Sequence, residues 1–212
     1  PWERLYAVER GDAQVGSADV KEMAEMGWLA LLAPESAGGG GVSLLEAAVV
    51  VDECGYAGVP APLAVSNIAA DLINRASGGA SGHLAGLASG QRLYTVSEAT
   101  RRRGRSAHAG AKAGRPLSAA GGNLSGTLPL VPFGDIADFA LAPLTVDGGP
   151  AFGVIALAGA RRETVRMLDR LGYCNIHLDN ADLSDSVVLA QGKAAEDLHE
   201  RCDALVTGLS LI

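Results

Sequence analysis

Residues 22–60 read EMAEMGWLALLAPESAGGGGVSLLEAAVVVDECGYAGVP. A short helical pattern stops at Gly27, an apolar segment reaches Pro34-Glu35, the glycines Gly38 to Gly41 follow, and a second helix opens at Ser43. Ser43 and Glu46 have capping-box spacing, which satisfies orphan N–H groups just ahead of the apolar run Leu44, Leu45, Ala47, Ala48, Val49, Val50, Val51. The glycine run suits either a linker between packed helices or a loop facing a ligand, because both need positive φ or close approach. It is not a Walker loop, since no Lys-Ser or Lys-Thr follows it, and no strand-to-helix dinucleotide fingerprint with a later acidic ribose ligand is present.

The chain of 212 residues is long enough for one or two domains with a real core. With 48% hydrophobic, 19% charged and 4% aromatic residues it reads as globular. A net charge of −7 argues against nucleic acid as principal partner, because displacing counterions needs a dense positive field. No apolar run reaches the ~18 residues of a membrane span, and no signal-peptide pattern opens the chain, so the expected location is the cytoplasm, without a membrane. Cys54, Cys174 and Cys202 are far apart and odd in number, which suits reduced, buried thiols.

Working outward, helical periodicity predicts Val20–Met26 after an Asp19 cap, Ser43–Tyr56, Val65–Ala76 and a short helix over His83–Ala88. From Arg92 the texture changes to short β-runs: Leu93–Val96, Leu124–Leu130, Phe139–Leu144, Phe152–Leu157, Thr164–Met167, Tyr173–Leu178 and Ser186–Leu189. That spacing predicts a small barrel or sandwich. The Gly, Ala and Ser-rich stretch from Gly104 to Gly122 reads as a solvated loop. After Gly192 a helix resumes through Lys193–Leu211, with Leu198, Cys202, Leu205 and Leu209 on one stripe. Nothing after that stripe covers it, so the expectation is of an incomplete chain or one that relies on a partner.

The order Gly27-Trp28, Leu31, Pro34-Glu35, Gly38-Gly39 and Gly41 resembles the G-W-x-x-L-x-x-P-E-x-x-G-G-x-G pattern of the acyl-CoA dehydrogenases. Tyr94-Thr95-Val96-Ser97-Glu98-Ala99 is similar to that family's flavin-contacting Y-A-x-T-E-P segment, with Ser97 at the threonine and Ala99 at the proline position; Thr100 to Arg105 stand where a G-S-D turn is usual. Leu124-Ser125-Gly126 and Leu130-Val131-Pro132 resemble the G-x-K-x-W-I-T-N-G stretch in its V-P form, and Asp138 to Ala142 fits the strand that follows. The resemblance implies an α+β multidomain fold: a helical amino-terminal domain over 1–91, a β-barrel middle domain over 92–190, and the first helix of a carboxy-terminal bundle over 191–212. It implies FAD as cofactor, with Tyr94, Val96, Ser97, Leu130, Val131 and Pro132 as contacts.

The implied reaction is α,β-dehydrogenation of an acyl-CoA, in lipid or steroid side-chain catabolism. A carboxylate takes the α-proton, hydride passes to the flavin N5, and electrons leave to electron-transfer flavoprotein or a similar acceptor. In the family the base lies in the carboxy-terminal bundle, beyond Ile212, so Glu35, Glu46, Glu53 and Glu98 read as caps and surface charges. The implied assembly is a homo- or hetero-oligomer. An alternative follows from the altered flavin positions: a flavin-poor scaffold subunit of a heteromeric dehydrogenase.

Arg101, Arg102, Arg103 and Arg105 read as a solvated loop rather than a phosphate clamp. His83, His108, His177 and His199 lack metal or triad spacing, and Asp179, Asp182 and Asp185 read as a turn.

Overall fold

The computed structural model describes residues 3, 6–7, 17–59, 61–76, 81–97, 116–167 and 172–209. Helices come first: α1 (Ser17–Glu25), 3₁₀ turns at Trp28–Ala30 and Glu35–Ala37, α2 (Leu44–Tyr56), α3 (Leu63–Arg75) and α4 (Ser81–Ala88). The strands follow: β1 (Tyr94–Val96), β2 (Ser118–Ala120), β3 (Asn123–Pro132), β4 (Phe139–Val146), β5 (Gly149–Ala156), β6 (Arg161–Val165), β7 (Tyr173–Asp182) and β8 (Val187–Gln191). Helix α5 (Lys193–Leu209) ends the described chain.

The α2 start matches its sequence signal. Ser43 Oγ accepts from Glu46 N at 3.4 Å, and Glu46 Oε2 accepts from Ser43 N at 2.7 Å. That backbone donor holds the Glu46 carboxyl below its usual pKa. Helix α1 instead begins at Ser17, so Asp19 sits inside the first turn, where its charge favours the helix dipole, rather than capping it. The apolar run of α2 is not all core: Ala47 is buried, whereas Leu45 is 75% and Tyr56 84% exposed, because only one side of the helix meets the layer beneath.

Eight strands form one sheet in the order β6-β7-β3-β2-β4-β5-β8, with β1 pairing β4 in parallel beside β2. Strand alternation gives β4 and β5 two buried faces. Ala140, Ala142, Leu144, Ala151 and Ile155 join Leu124, Leu128, Val131, Cys174, Ile176 and Leu178 in the interior of the curled sheet. Leu141, Phe152 and Val154 point the other way, into a core shared with the helices. Strand β2 lies in the stretch read as loop. Its Ser-Ala-Ala lacks β-branched or aromatic residues, yet Gly121 (φ 58°) and Gly122 (φ 80°) make the two-residue turn that returns it onto β3.

The α5 stripe finds its cover within this chain, contrary to the reading that nothing covers it. Ala195, Leu198, Cys202, Leu205, Val206 and Leu209 are buried in the same core as α3 and the outward face of β5. An ion pair reinforces that contact: Asp71 on α3 accepts from Arg201 Nε and Nη2, both at 3.0 Å, and from Arg75 Nε at 2.8 Å. The Asp71 partnership raises the Arg201 pKa. Arg201→Met is expected to lower stability by about 2 kcal/mol, since a charged hydrogen-bonded pair is lost while Arg75 still serves Asp71. Urea denaturation reads this as a lower midpoint at unchanged slope, and an unchanged midpoint refutes it.

Candidate functional site

Strand β1 is placed by Asp138, whose Oδ2 accepts from Leu93 N at 2.8 Å while Oδ1 lies 3.3 Å from Arg92 Nη1. Tyr94 then turns toward the helices. Its ring stacks on Phe139 with centroids 5.0 Å apart, and its hydroxyl lies 2.9 Å from His83 Nδ1 on α4. Burial pushes the tyrosine pKa up and the histidine pKa down, which favours the uncharged form of both partners in this contact.

The two segments singled out in the sequence meet in space. Thr95 Oγ1 donates to Pro132 O at 2.7 Å, and Ser97 Oγ to Pro129 O at 3.4 Å. Between those contacts β3 bulges. Leu128 pairs with Ile176 and Val131 with Cys174, so Pro129 and Leu130 together oppose Asn175 alone. Leu130 has φ 48°, unusual for a branched residue, and its amide, displaced from the ladder, donates to Asn175 Oδ1 at 3.1 Å. Arg162 holds the turn beyond β3, donating from Nη1 to Asp135 O at 2.6 Å and from Nη2 to Ala137 O at 3.0 Å.

Of the expected cofactor contacts, Tyr94 and Val96 send their side chains into the helix-sheet core, and Val131 into the sheet interior. Pro132 is buried, and Ser97, also buried, donates its amide to Leu141 O at 3.1 Å. Leu130 is the member of the set that reaches solvent in part. The site is thus a junction of main chain carrying one partly exposed apolar side chain and one hydroxyl. Asn175 and Arg162 were not singled out in the sequence. A proline inside a predicted strand, Pro129, was the signal for the bulge that Asn175 supports.

The glycine run resolves as a turn. Gly39, Gly40 and Gly41 donate their amides to Pro34 O, Ala30 O and Ala33 O at 3.1, 3.0 and 2.8 Å. Those amides are therefore spent on the preceding segment. Glu35, Glu46 and Glu53 are exposed, while Glu98, Arg101, Arg102, Arg103, Arg105 and His108 lie outside the described residues. His177 bridges Thr127 (3.3 Å) and Glu163 (3.1 Å) on the sheet's outer face. Asp182 Oδ1 accepts from Ser184 N at 2.8 Å, as a turn residue does. Cys54, Cys174 and Cys202 are all buried. Among the described residues no group of three or more His, Cys, Asp or Glu is placed to hold a metal ion, and no helix is long and apolar enough to cross a membrane.

Residues 4–80 match the family model described as acyl-CoA dehydrogenase, N-terminal domain. The chain is similar to a variant of the Tcur3481-Tcur3483 steroid ACAD at 26% identity and a TM-score of 0.74, over 99% of this chain and 57% of that one. It has the fold of the ChsE4-ChsE5 complex from Mycobacterium tuberculosis (22% identity, TM-score 0.77, 98% and 56% coverage). It shares that fold also with a glutaryl-CoA dehydrogenase from Mycobacterium smegmatis in complex with FADH2 (18%, 0.67, 94% and 58%). The chain therefore spans a little over half the length of these structures. No curated protein matches the sequence.

Proposed function

From a chain that carries the acyl-CoA dehydrogenase amino-terminal domain over residues 4–80 and that family's fold across its described length, we propose a role in FAD-dependent α,β-dehydrogenation of an acyl-CoA thioester. The observation that carries this reading is the junction of Ser97 with the Pro129–Leu130 bulge, which joins two segments 32 residues apart into one wall. The residues present fit a flavin in two respects. Leu130 offers apolar surface to a ring face, and the Ser97 hydroxyl, 3.4 Å from Pro129 O, stands at the same junction as a short polar group suited to a ring acceptor.

FAD, when bound, supplies the hydride acceptor. The chain's own part is to place and shield. Thr95 fixes β1 against β3, Asn175 fixes the bulge, and Leu130 keeps water from the wall. The base that takes the α-proton is assigned to a carboxylate outside the described residues, as the family resemblance implies, and not to Glu35, Glu46 or Glu53, which are exposed. An acceptor such as electron-transfer flavoprotein, an oligomeric assembly and a cytoplasmic setting complete the proposal. Lipid or steroid side-chain thioesters are the substrate class. The proposed divisions remain 1–91, 92–190 and 191–212.

A second reading is a scaffold subunit of a heteromeric dehydrogenase. It is favoured by Leu130 and Pro132, neither of which has a side-chain donor, and by the two-component complexes among the similar structures. A visible spectrum of the full-length protein titrated with FAD separates them. Oxidised-flavin bands on the protein alone are expected. Folded protein without bands at saturating FAD, acquiring them only with a partner, decides for the scaffold.

A further inference from the structure

Asn175 stands near the start of β7, between Cys174 and Ile176, whose side chains fill the sheet interior. Alternation puts Asn175 on the opposite, half-buried face, alongside Leu130. The Leu130 amide, 3.1 Å away, is a donor and can be met only by the carboxamide oxygen. This fixes the orientation of the side-chain amide: Oδ1 faces the bulge, and Nδ2 with its two hydrogens faces away. None of the described residues accepts from Nδ2.

We propose that Asn175 is a cofactor-binding residue that locks the Leu130 bulge with its oxygen and, with its nitrogen, supplies a side-chain donor that neither Leu130 nor Pro132 carries. The proposal rests on the flavin reading above. Leu130 and Pro132 carry no side-chain donor, whereas the polar edge of an isoalloxazine carries acceptors and gathers negative charge on reduction. A neutral amide donor meets that need. Its rigidity comes from the bulge, since turning the carboxamide over would leave the Leu130 amide unpaired.

Two substitutions separate the two halves of the role. Asn175→Asp keeps an oxygen for the Leu130 amide but replaces the donor by a charged acceptor. Its expected result is FAD binding weaker by about tenfold and a more negative flavin potential, with Leu130 amide exchange as slow as in the wild type. Asn175→Ala is expected to weaken FAD binding and also to speed that exchange. Adding Leu130→Gly, which accepts positive φ freely, should recover stability in the alanine variant but not FAD affinity. An Asn175→Asp protein that binds FAD within about twofold of wild type, at unchanged potential, overturns the proposal. Wild-type protein that shows no flavin bands at saturating FAD overturns the flavin reading itself, and does so before any variant is made.

Discussion

Gly39→Ala is expected to destabilise the protein by about 3 kcal/mol or more, the upper range for overpacking. A Cβ at this position would lie 2.3 Å from Ala33 O, 2.5 Å from Ala33 Cβ and 2.6 Å from Ala30 O. Two of these are backbone atoms, so no side-chain rotation relieves the overlap. The backbone cannot yield either, because it closes its own turn: besides the three glycine amides, Val42 N donates to Leu31 O at 3.1 Å. Opening the turn to admit a methyl group would break several of these bonds and pull Leu29, Ala30 and Ala33 out of the core. The control is Gly55→Ala near the end of α2, where an added Cβ meets nothing within 4 Å and helix propensity favours alanine. Denaturation midpoints of the two variants measure the difference, and equal midpoints would refute the close-approach account.

Asn67→Ala is expected to cost on the order of 3 kcal/mol through unpaired backbone groups rather than lost contact area. Asn67 is fully buried on α3. Its Oδ1 accepts from Leu32 N at 3.2 Å, and its Nδ2 donates to Trp28 O at 2.8 Å and to Leu63 O at 2.9 Å. The Leu63 carbonyl lies at the start of α3 and has helical donors within reach. The Leu32 amide would lose the acceptor that Asn67 gives it, and the Trp28 carbonyl would lose its side-chain donor, both in part-buried surroundings. Asn67→Asp is the informative second variant: it keeps the acceptor for Leu32 N but sets an anionic oxygen against two carbonyls, so it should be no more stable than the alanine. Thermal melts of both test this, and a near-native aspartate variant would show that the Trp28 carbonyl has another donor.

Local signals in the sequence were read correctly where one residue's partner is close along the chain. Ser43 and Glu46 are three apart, and their box marks the α2 start to the residue. The α5 stripe was legible by its period, but what it packs against was not, since α3 and β5 lie far back in the chain. Strand β2 hid in small residues whose backbone pairs without any side-chain preference, although Gly121-Gly122 announced a hairpin turn. At the candidate site, motif resemblance brought out Tyr94 to Ser97 and Leu130 to Pro132, yet not which way their side chains face. That depends on the bulge, whose support from Asn175 comes from 45 residues away. Asn67 and Asp71 are invisible for the same reason: a polar residue on a helical pattern looks solvated until the partner that buries it is known.

The Asp71–Arg201 pair also bears on how the chain is made. Its members are 130 residues apart, a separation that a ribosome at typical speed covers in roughly 6–26 s. Throughout that interval α3 is complete and has Arg75 beside Asp71, but the face that α5 covers has no cover. Phe152 and Val154 reach it only once β5 has been made, and α5 only after the whole sheet has been synthesised. The helical layer is thus translated before the sheet yet closes only after it, so a nascent chain stalled within the sheet presents an open apolar face to chaperones.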